Sequence, residues 1–264
     1  MRVLNGKRIL INGKGGSGKS TIAALFAHSL NKKGKKVALL DGDPSNVNVL
    51  SRSCMGLRNG PLPLLEYLNL KYGNYTGITE MLFSEDHFKL KISEIPARYY
   101  LHHENIRLFQ AGKISRDDIY NVFFSMILQY FNLDDETVIL IDNKAGIEYF
   151  MHGVNENTDL IIIVVSPEYE SIRLAEKIHN MCMEREIEHV YAVLNKVDCR
   201  STENDIKNHL SLIGIDVIGT VEHNSRIKIS MLRGSMINDP IAVTAANHLI
   251  MQIANRMLTS VFKQ

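Results

Sequence analysis

The stretch Asn12–Thr21, NGKGGSGKST, decides the fold. Gly13, Gly18, Lys19 and Ser20 fit G-x-x-x-x-G-K-[ST], the pattern of a loop that wraps a phosphate. Glycines let the chain curl until backbone N–H groups converge on phosphate oxygens. A helix opening near Lys19 adds its positive dipole end. The candidate nucleotide-binding residues here are Gly13, Lys14, Gly15, Gly16, Ser17, Gly18, Lys19, Ser20 and Thr21. Lys19 is expected to reach the β- and γ-phosphates, the Ser20 hydroxyl to ligate Mg²⁺, and Thr21 to contact the α-phosphate. Lys14 is a second lysine. It precedes the tight part of the loop, so its side chain can point away from the nucleotide of its own chain.

Working outward, an apolar run precedes the loop and a helical pattern follows it, as the motif requires. Strand candidates are Arg8–Asn12, Lys36–Asp41, Ile106–Gln110, Thr137–Asp142, Leu160–Ser166, Val190–Asn195 and Asp216–Val221. Several are continuously apolar, the mark of a strand covered on both faces. Helical patterns span Lys19–Lys33, Ser115–Asn132, Tyr169–Ile187, Thr202–Leu212 and Val243–Phe262, with Ser115 as an expected N-cap. The alternation implies an α/β fold. We expect a single doubly wound, mostly parallel sheet of about seven strands with helices on both faces. Residues 46–105 break the alternation and read as an excursion, with short helices at NGPLPLLEYL and GITEMLF and an extended piece at KLKISEIPARYY. No repeat or linker divides residues 1–264, so one domain is expected.

Composition narrows the class. The net charge is +1 and the hydrophobic content 45%, which suits a protein with a sizeable core and no global pull toward nucleic acid. The longest aliphatic run, Leu160–Val165, is too short to span a bilayer. No leader pattern is visible, and Cys54, Cys182 and Cys199 form no close pair, so a reducing cytoplasm is expected.

Three further stretches carry acids or amides at strand ends. In LLDGDPSN, Asp41 and Asp43 alternate about Gly42, so both can project to one side of extended chain. One such carboxylate can position an attacking water and another can serve a Mg²⁺ water shell. In VILIDNKAG, Asp142 closes an apolar strand and Gly146 completes D-x-x-G. Asp142 is expected to bind Mg²⁺ through water, and the Gly146 N–H to sense the γ-phosphate. VLNKVD places Asn195, Lys196 and Asp198 as N-K-x-D, a pattern that reads guanine in GTPases. Asn195 and Lys196 are therefore nucleotide-binding candidates. This pattern by itself leaves ATP and GTP both open; the resemblance below makes ATP the expected nucleotide and GTP the alternative.

KGGSGKS, Lys14–Ser20, resembles the deviant Walker A ATPases, the relatives of MinD, ParA, the nitrogenase iron protein and ArsA, whose pattern is K-G-G-x-G-K-[ST]. That resemblance implies an ATP-bound homodimer in which Lys14 acts in trans on the nucleotide of the second copy. Lys14, Lys19 and Asp43 would be catalytic, Asp43 would orient the water, and Asp41 would serve the Mg²⁺ shell. An Asn at the position of Asn195 contacts adenine in such relatives.

LLDGDPSNVN, IRLFQAGKI, IDNKAGIEYFMHGV, DLIIIVVSPEYESIRLAEKI and IGTVEHNSRI are similar to one branch, the CooC-type nickel-accessory ATPases of carbon monoxide dehydrogenase. This implies an accessory or maturation factor whose client is a metalloenzyme. The alternative is a MinD- or ParA-like regulatory or positioning ATPase acting on membrane, DNA or a partner protein. The chain departs from the branch in lacking a C-x-C after the GKI segment, so no transition-metal site is expected, and in carrying Lys144 where an acid is usual, a change that bears on switch coupling or interface charge. Cys182 is expected in the core and His102–His103 as a surface pair. The C-terminal helical pattern has few cations, which suits a closing helix better than a membrane-surface one. No basic cluster suggests DNA.

Overall fold

The computed structural model describes residues 1–45, 48–72, 90–114, 117–132, 136–147 and 157–261. Its centre is an eight-stranded sheet of β1 (Arg8–Gly13), β2 (Val37–Gly42), β4 (Leu101–His103), β5 (Ile106–Gln110), β7 (Val138–Asn143), β8 (Leu160–Val165), β9 (Val190–Val197) and β10 (Asp216–Glu222), in spatial order β10-β9-β8-β1-β7-β2-β5-β4. Every neighbouring pair is parallel except β4 with β5. A separate two-stranded parallel ladder pairs β3 (Leu90–Lys91) with β6 (Phe131–Asn132).

The helices are α1 (Lys19–Lys32), α2 (Val49–Met55), α3 (Leu64–Tyr72), α4 (Asp117–Tyr130), α5 (Tyr169–Glu184), α6 (Arg200–Leu212), α7 (Ser225–Arg233) and α8 (Pro240–Val261). Strand alternation divides the core in two. Ile9 and Ile11 of β1 join α1, Cys54 of α2 and α8 on one face. Leu10 joins α3, α4, α5 and α6 on the other. Burial on both faces explains the continuous apolar strands.

The structure differs from the sequence expectation at several places. Among the described residues the sheet has eight strands, the seven expected positions plus Leu101–His103, which adds an antiparallel edge. The extended piece expected at Lys89–Tyr100 contains two 3₁₀ turns, Ile92–Glu94 and Ala97–Tyr99. Pro96 lacks an N–H for a ladder, and the chain turns to bury Tyr99 completely. Phe131–Asn132, read as helix, is strand. Helices α2 and α7 were not expected. The expected N-cap Ser115 and the GITEMLF helix lie outside the described residues.

Cys182 is fully buried, and His102 and His103 sit on the edge strand β4. In α8, Leu249, Ile250, Ile253 and Met257 are buried against the core, so this helix closes the fold. No helix among the described residues is long and apolar enough to cross a membrane.

Candidate functional site

The sheet register aligns the carboxyl ends of four strands. Gly13 of β1 lies beside Val164 of β8, and Asp41 and Gly42 of β2 lie beside Asp142 and Asn143 of β7. The loop after β1 therefore emerges where strand order reverses, the usual ligand crevice of an open α/β sheet. Two glycines are required by space. A Cβ on Gly13 would come within 2.4 Å of the Val164 carbonyl oxygen, and one on Gly18 within 2.1 Å of the Asn195 amide nitrogen. Gly18 also has φ +100°, left-handed, where it precedes the first turn of α1.

Beside this loop is a cavity of about 690 Å³, a size suited to a small-molecule ligand. Gly15, Gly16, Gly18, Lys19, Ser20 and Thr21 form its phosphate-loop wall. Asp43 and Ser45 come from the β2 end, and Lys144 and Ala145 from the β7 end, so the predicted switch loop borders the cavity. Asn195 and Lys196 form another side. Ser17 is buried under the loop, its N–H donating to the Lys14 carbonyl (3.1 Å).

Lys19 is only 8% exposed, and its ammonium donates to the Lys14 carbonyl at 3.3 Å. Burial lowers its pKa, while Asp142 and Asp43 act in the opposite sense. Asp142 lies buried beneath the loop. Desolvation raises its pKa to about 7, against a hydrogen bond from Ser20 and the charge of Lys19. Its Oδ1 has no hydrogen-bond partner. Asp41 is also buried. Desolvation first, then the Asp142 charge, lifts its pKa well above the ordinary carboxylate range. Asp43 accepts from the Ser45 N–H at 2.9 Å and from the Ser45 hydroxyl, which folds the DPS segment into a side-chain-capped turn. Gly146 has φ +115° and follows the cavity-lining Ala145.

These residues fit a Mg²⁺–phosphate group. A buried carboxylate with an unpartnered oxygen lies hydrogen-bonded to the motif's serine. Among the described residues, no group of three or more His, Cys, Asp or Glu side chains could hold a metal ion. Mg²⁺ suits such a place because it is commonly held by one or two protein groups together with phosphate oxygens and water.

Two predicted residues do something the sequence reading did not state. Asn195 Nδ2 donates to the Ser17 carbonyl at 2.7 Å, and Lys196 Nζ to the Gly16 carbonyl at 2.6 Å. Both side chains clamp the phosphate loop. Lys196 does so from a left-handed backbone, φ +63°, a strain typical of sites the surrounding structure over-determines. Asp198 is exposed and does not line the cavity.

Lys14 departs from the cavity altogether. Its ammonium pairs with the Glu168 carboxylate at the N-cap of α5. That hydrogen bond, followed by the Lys14 charge, lowers the Glu168 pKa.

The sequence reading missed the opposite wall. Glu222, His223 and Asn224 leave β10, and Ile227, Lys228 and Met231 of α7 face the cavity. Two signals were present. Asn224 caps α7 by accepting from the Arg226 N–H (2.8 Å), and Gly234 ends it at φ +62°.

The model of the CbiA family, the CobQ/CobB/MinD/ParA nucleotide-binding domain, matches residues 9–237. The chain belongs to this family. An uncharacterized ATP-binding protein of Methanocaldococcus jannaschii is 32% identical over 241 residues, covering 88% of this chain and 94% of the relative. The carbon monoxide dehydrogenase accessory protein CooC of Rhodospirillum rubrum is 27% identical over 200 residues, covering 72% and 74%. Among solved structures, the septum site-determining protein MinD of Pyrococcus horikoshii, complexed with Mg-ADP, superposes with TM-score 0.67 at 19% identity, covering 94% of this chain and 95% of that one. The CobQ/CobB/MinD/ParA family places this chain among nucleotide-binding domains, and the MinD likeness shows the same α/β architecture.

Proposed function

We propose that this family member is an ATP-hydrolysing switch that works as a homodimer and serves a client metalloenzyme as an accessory or maturation factor. The observation that carries the reading is the convergence of Lys19, Ser20 and Asp142 at the loop Gly13–Gly18. It supplies a buried cation, a hydroxyl and a buried carboxylate with one unpartnered oxygen beside a cavity of about 690 Å³.

In this reading the loop N–H groups cradle the phosphates, Lys19 bridges the β- and γ-phosphates, and Thr21 meets the α-phosphate. Mg²⁺ would be held by Ser20 directly and by Asp142 and Asp41 through water, where it would neutralise phosphate charge. Asp43 orients a water whose oxygen bonds to the γ-phosphorus as the bond to the β–γ bridging oxygen breaks, releasing ADP and phosphate. Gly146 relays loss of the γ-phosphate to the switch loop.

Lys14 is displaced from its own cavity, which supports a role on the nucleotide of a second copy. There it would balance charge on the transferring phosphoryl group, as an arginine finger does. ATP is favoured over GTP because a guanine-reading carboxylate would have to face the cavity, and Asp198 does not.

The metalloenzyme client is supported by the similarity to CooC. A role on membrane or DNA, of the MinD or ParA kind, is the competing assignment. The test is ATP and GTP turnover with light-scattering mass in ATPγS, alongside co-sedimentation with vesicles and DNA. GTP-only turnover, or a monomer in ATPγS, overturns the switch reading. ATP-dependent co-sedimentation overturns the metalloenzyme assignment.

A further inference from the structure

Helix α7 has no buried residue. A nine-residue helix is too short to persist in water on its own, so its surroundings must hold it. Ile227, Lys228 and Met231 lie on the face toward the nucleotide cavity. Arg226, Ile229 and Arg233, spaced three and four residues apart, share the opposite face. Ile229 is 44% exposed and Leu232 78%.

This outward face continues onto α2. The Ile237 N–H donates to the Ser53 carbonyl at 2.8 Å, Gly234 lies against the Arg52 side chain, and Gly56 lies against Met236. Leu57, 46% exposed, and the exposed Arg58 follow α2. The segments 44–65 and 223–238 hold five cations, Arg52, Arg58, Arg226, Lys228 and Arg233, and no Asp or Glu, in a chain of net charge +1. The carboxylates bordering them are Asp43 and Glu222 in the cavity wall, the exposed Glu66 in the first turn of α3, and the buried Asp239, which pairs with Arg226.

We infer that the α2–α7 face docks an acidic, amphipathic segment of a partner protein. Charge complementarity selects the acids, and Leu57, Ile229 and Leu232 select apolar anchors between them. A membrane-surface helix separates its cations from its apolar side chains, whereas Arg226 and Arg233 flank Ile229 on one face. A nucleic-acid surface adds aromatic platforms or a continuous cationic track, and neither segment contains Phe, Tyr or Trp.

The probe is a fluorescein-labelled amphipathic helix of about 16 residues, roughly four turns, with Leu at helical spacing and Glu between, read by anisotropy against the full chain. The expected result is salt-sensitive binding, weakened about tenfold or more by Arg226→Glu/Arg233→Glu. Ile229→Ser/Leu232→Ser should also weaken it, and a peptide with Lys in place of Glu should not bind. Circular dichroism and fluorescent-ATP binding on the same preparations confirm that each variant is folded. Absence of binding, or binding unmoved by both double variants, overturns the proposal. So does charge-dependent binding of phosphatidylglycerol vesicles or a short DNA duplex in place of the peptide. Failure of fluorescent-ATP binding by the wild type would instead overturn the nucleotide reading and leave the peptide result standing.

Discussion

Lys14 and Lys19, five residues apart on one loop, point to different places. Lys19 is buried at the cavity, whereas Lys14 reaches sideways to Glu168, which is far away in sequence. A loop that needed both lysines for its own phosphates would hold both over the cavity. The Lys14–Glu168 pair is solvent-exposed, and such pairs contribute little to stability. Its consequence is positional: Lys14 is held toward Glu168 and away from the cavity that Lys19 lines.

Lys14→Ala is therefore expected to abolish ATP turnover while leaving the affinity of a single chain for ATP within a few-fold. Steady-state phosphate release and equilibrium titration with a fluorescent ATP analogue measure the two separately. Unchanged turnover would sink the trans role of Lys14.

Glu168→Gln keeps the shape and removes the charge that holds Lys14. Thermal stability should stay the same within error, because an exposed ion pair is all that is lost. The ATP concentration giving half-maximal dimer should change, and light scattering across an ATPγS titration reads it. An unaltered titration would mean that Glu168 does not hold Lys14 in any way that matters.

Asp142 gives a pH signature. Its folded pKa of about 7 lies above that of an unfolded Asp. Between about pH 4 and 7 the unfolded chain has lost this proton while the folded chain still binds it, so stability falls as pH rises and levels off above 7. Asp41 is shifted in the same direction. Asp142→Asn removes the buried charge, so the free protein should melt higher at pH 8, by about 2–4 °C for each kcal/mol relieved. The gain should vanish near pH 4. Equal melting shifts at both pH values would refute the assignment.

The same group predicts how Mg²⁺–nucleotide binding depends on acid. Only the ionised carboxylate serves the metal, so between pH 7 and 6 affinity should fall toward about tenfold per pH unit. Calorimetry in buffers of different ionisation enthalpy would show proton release on binding. Binding that is flat with pH, with no proton released, would exclude Asp142 from the metal shell.

Gly18→Ala meets two obstacles, a left-handed φ and the Asn195 amide at 2.1 Å. Loss of nucleotide binding and a lowered melting temperature are expected. Adding Asn195→Ala removes the collision but not the backbone strain, so rescue should be partial. Full rescue would show that the collision alone matters.

Much of the fold was legible because buried parallel strands leave continuous apolar runs, as β2, β7 and β8 do, whereas the edge strand β10 is only partly buried. The edge strand Leu101–His103 was not, since three residues paired on one side carry no periodicity. Helix α7 was hidden for a related reason. None of its residues is buried, its apolar pair Ile227 and Met231 faces the cavity rather than the core centre, and only Asn224 and Gly234 mark its ends. In the site, the loop and Asp142 could be read from spacing. The second roles of Asn195 and Lys196 could not, because a side chain that reaches a loop nearly 180 residues earlier leaves no local pattern.

By itself, then, the sequence determined the phosphate loop, the acids at strand ends and the layered α/β class, since each rests on local periodicity or on a short fixed spacing. Only the tertiary structure decided that Glu168 holds Lys14, that Asn195 and Lys196 clamp the loop, and that α7 walls the cavity while presenting Arg226, Ile229 and Arg233 outward. Those are contacts between segments far apart in the chain. They exist only once the strand order β10-β9-β8-β1 brings the ends of those strands together.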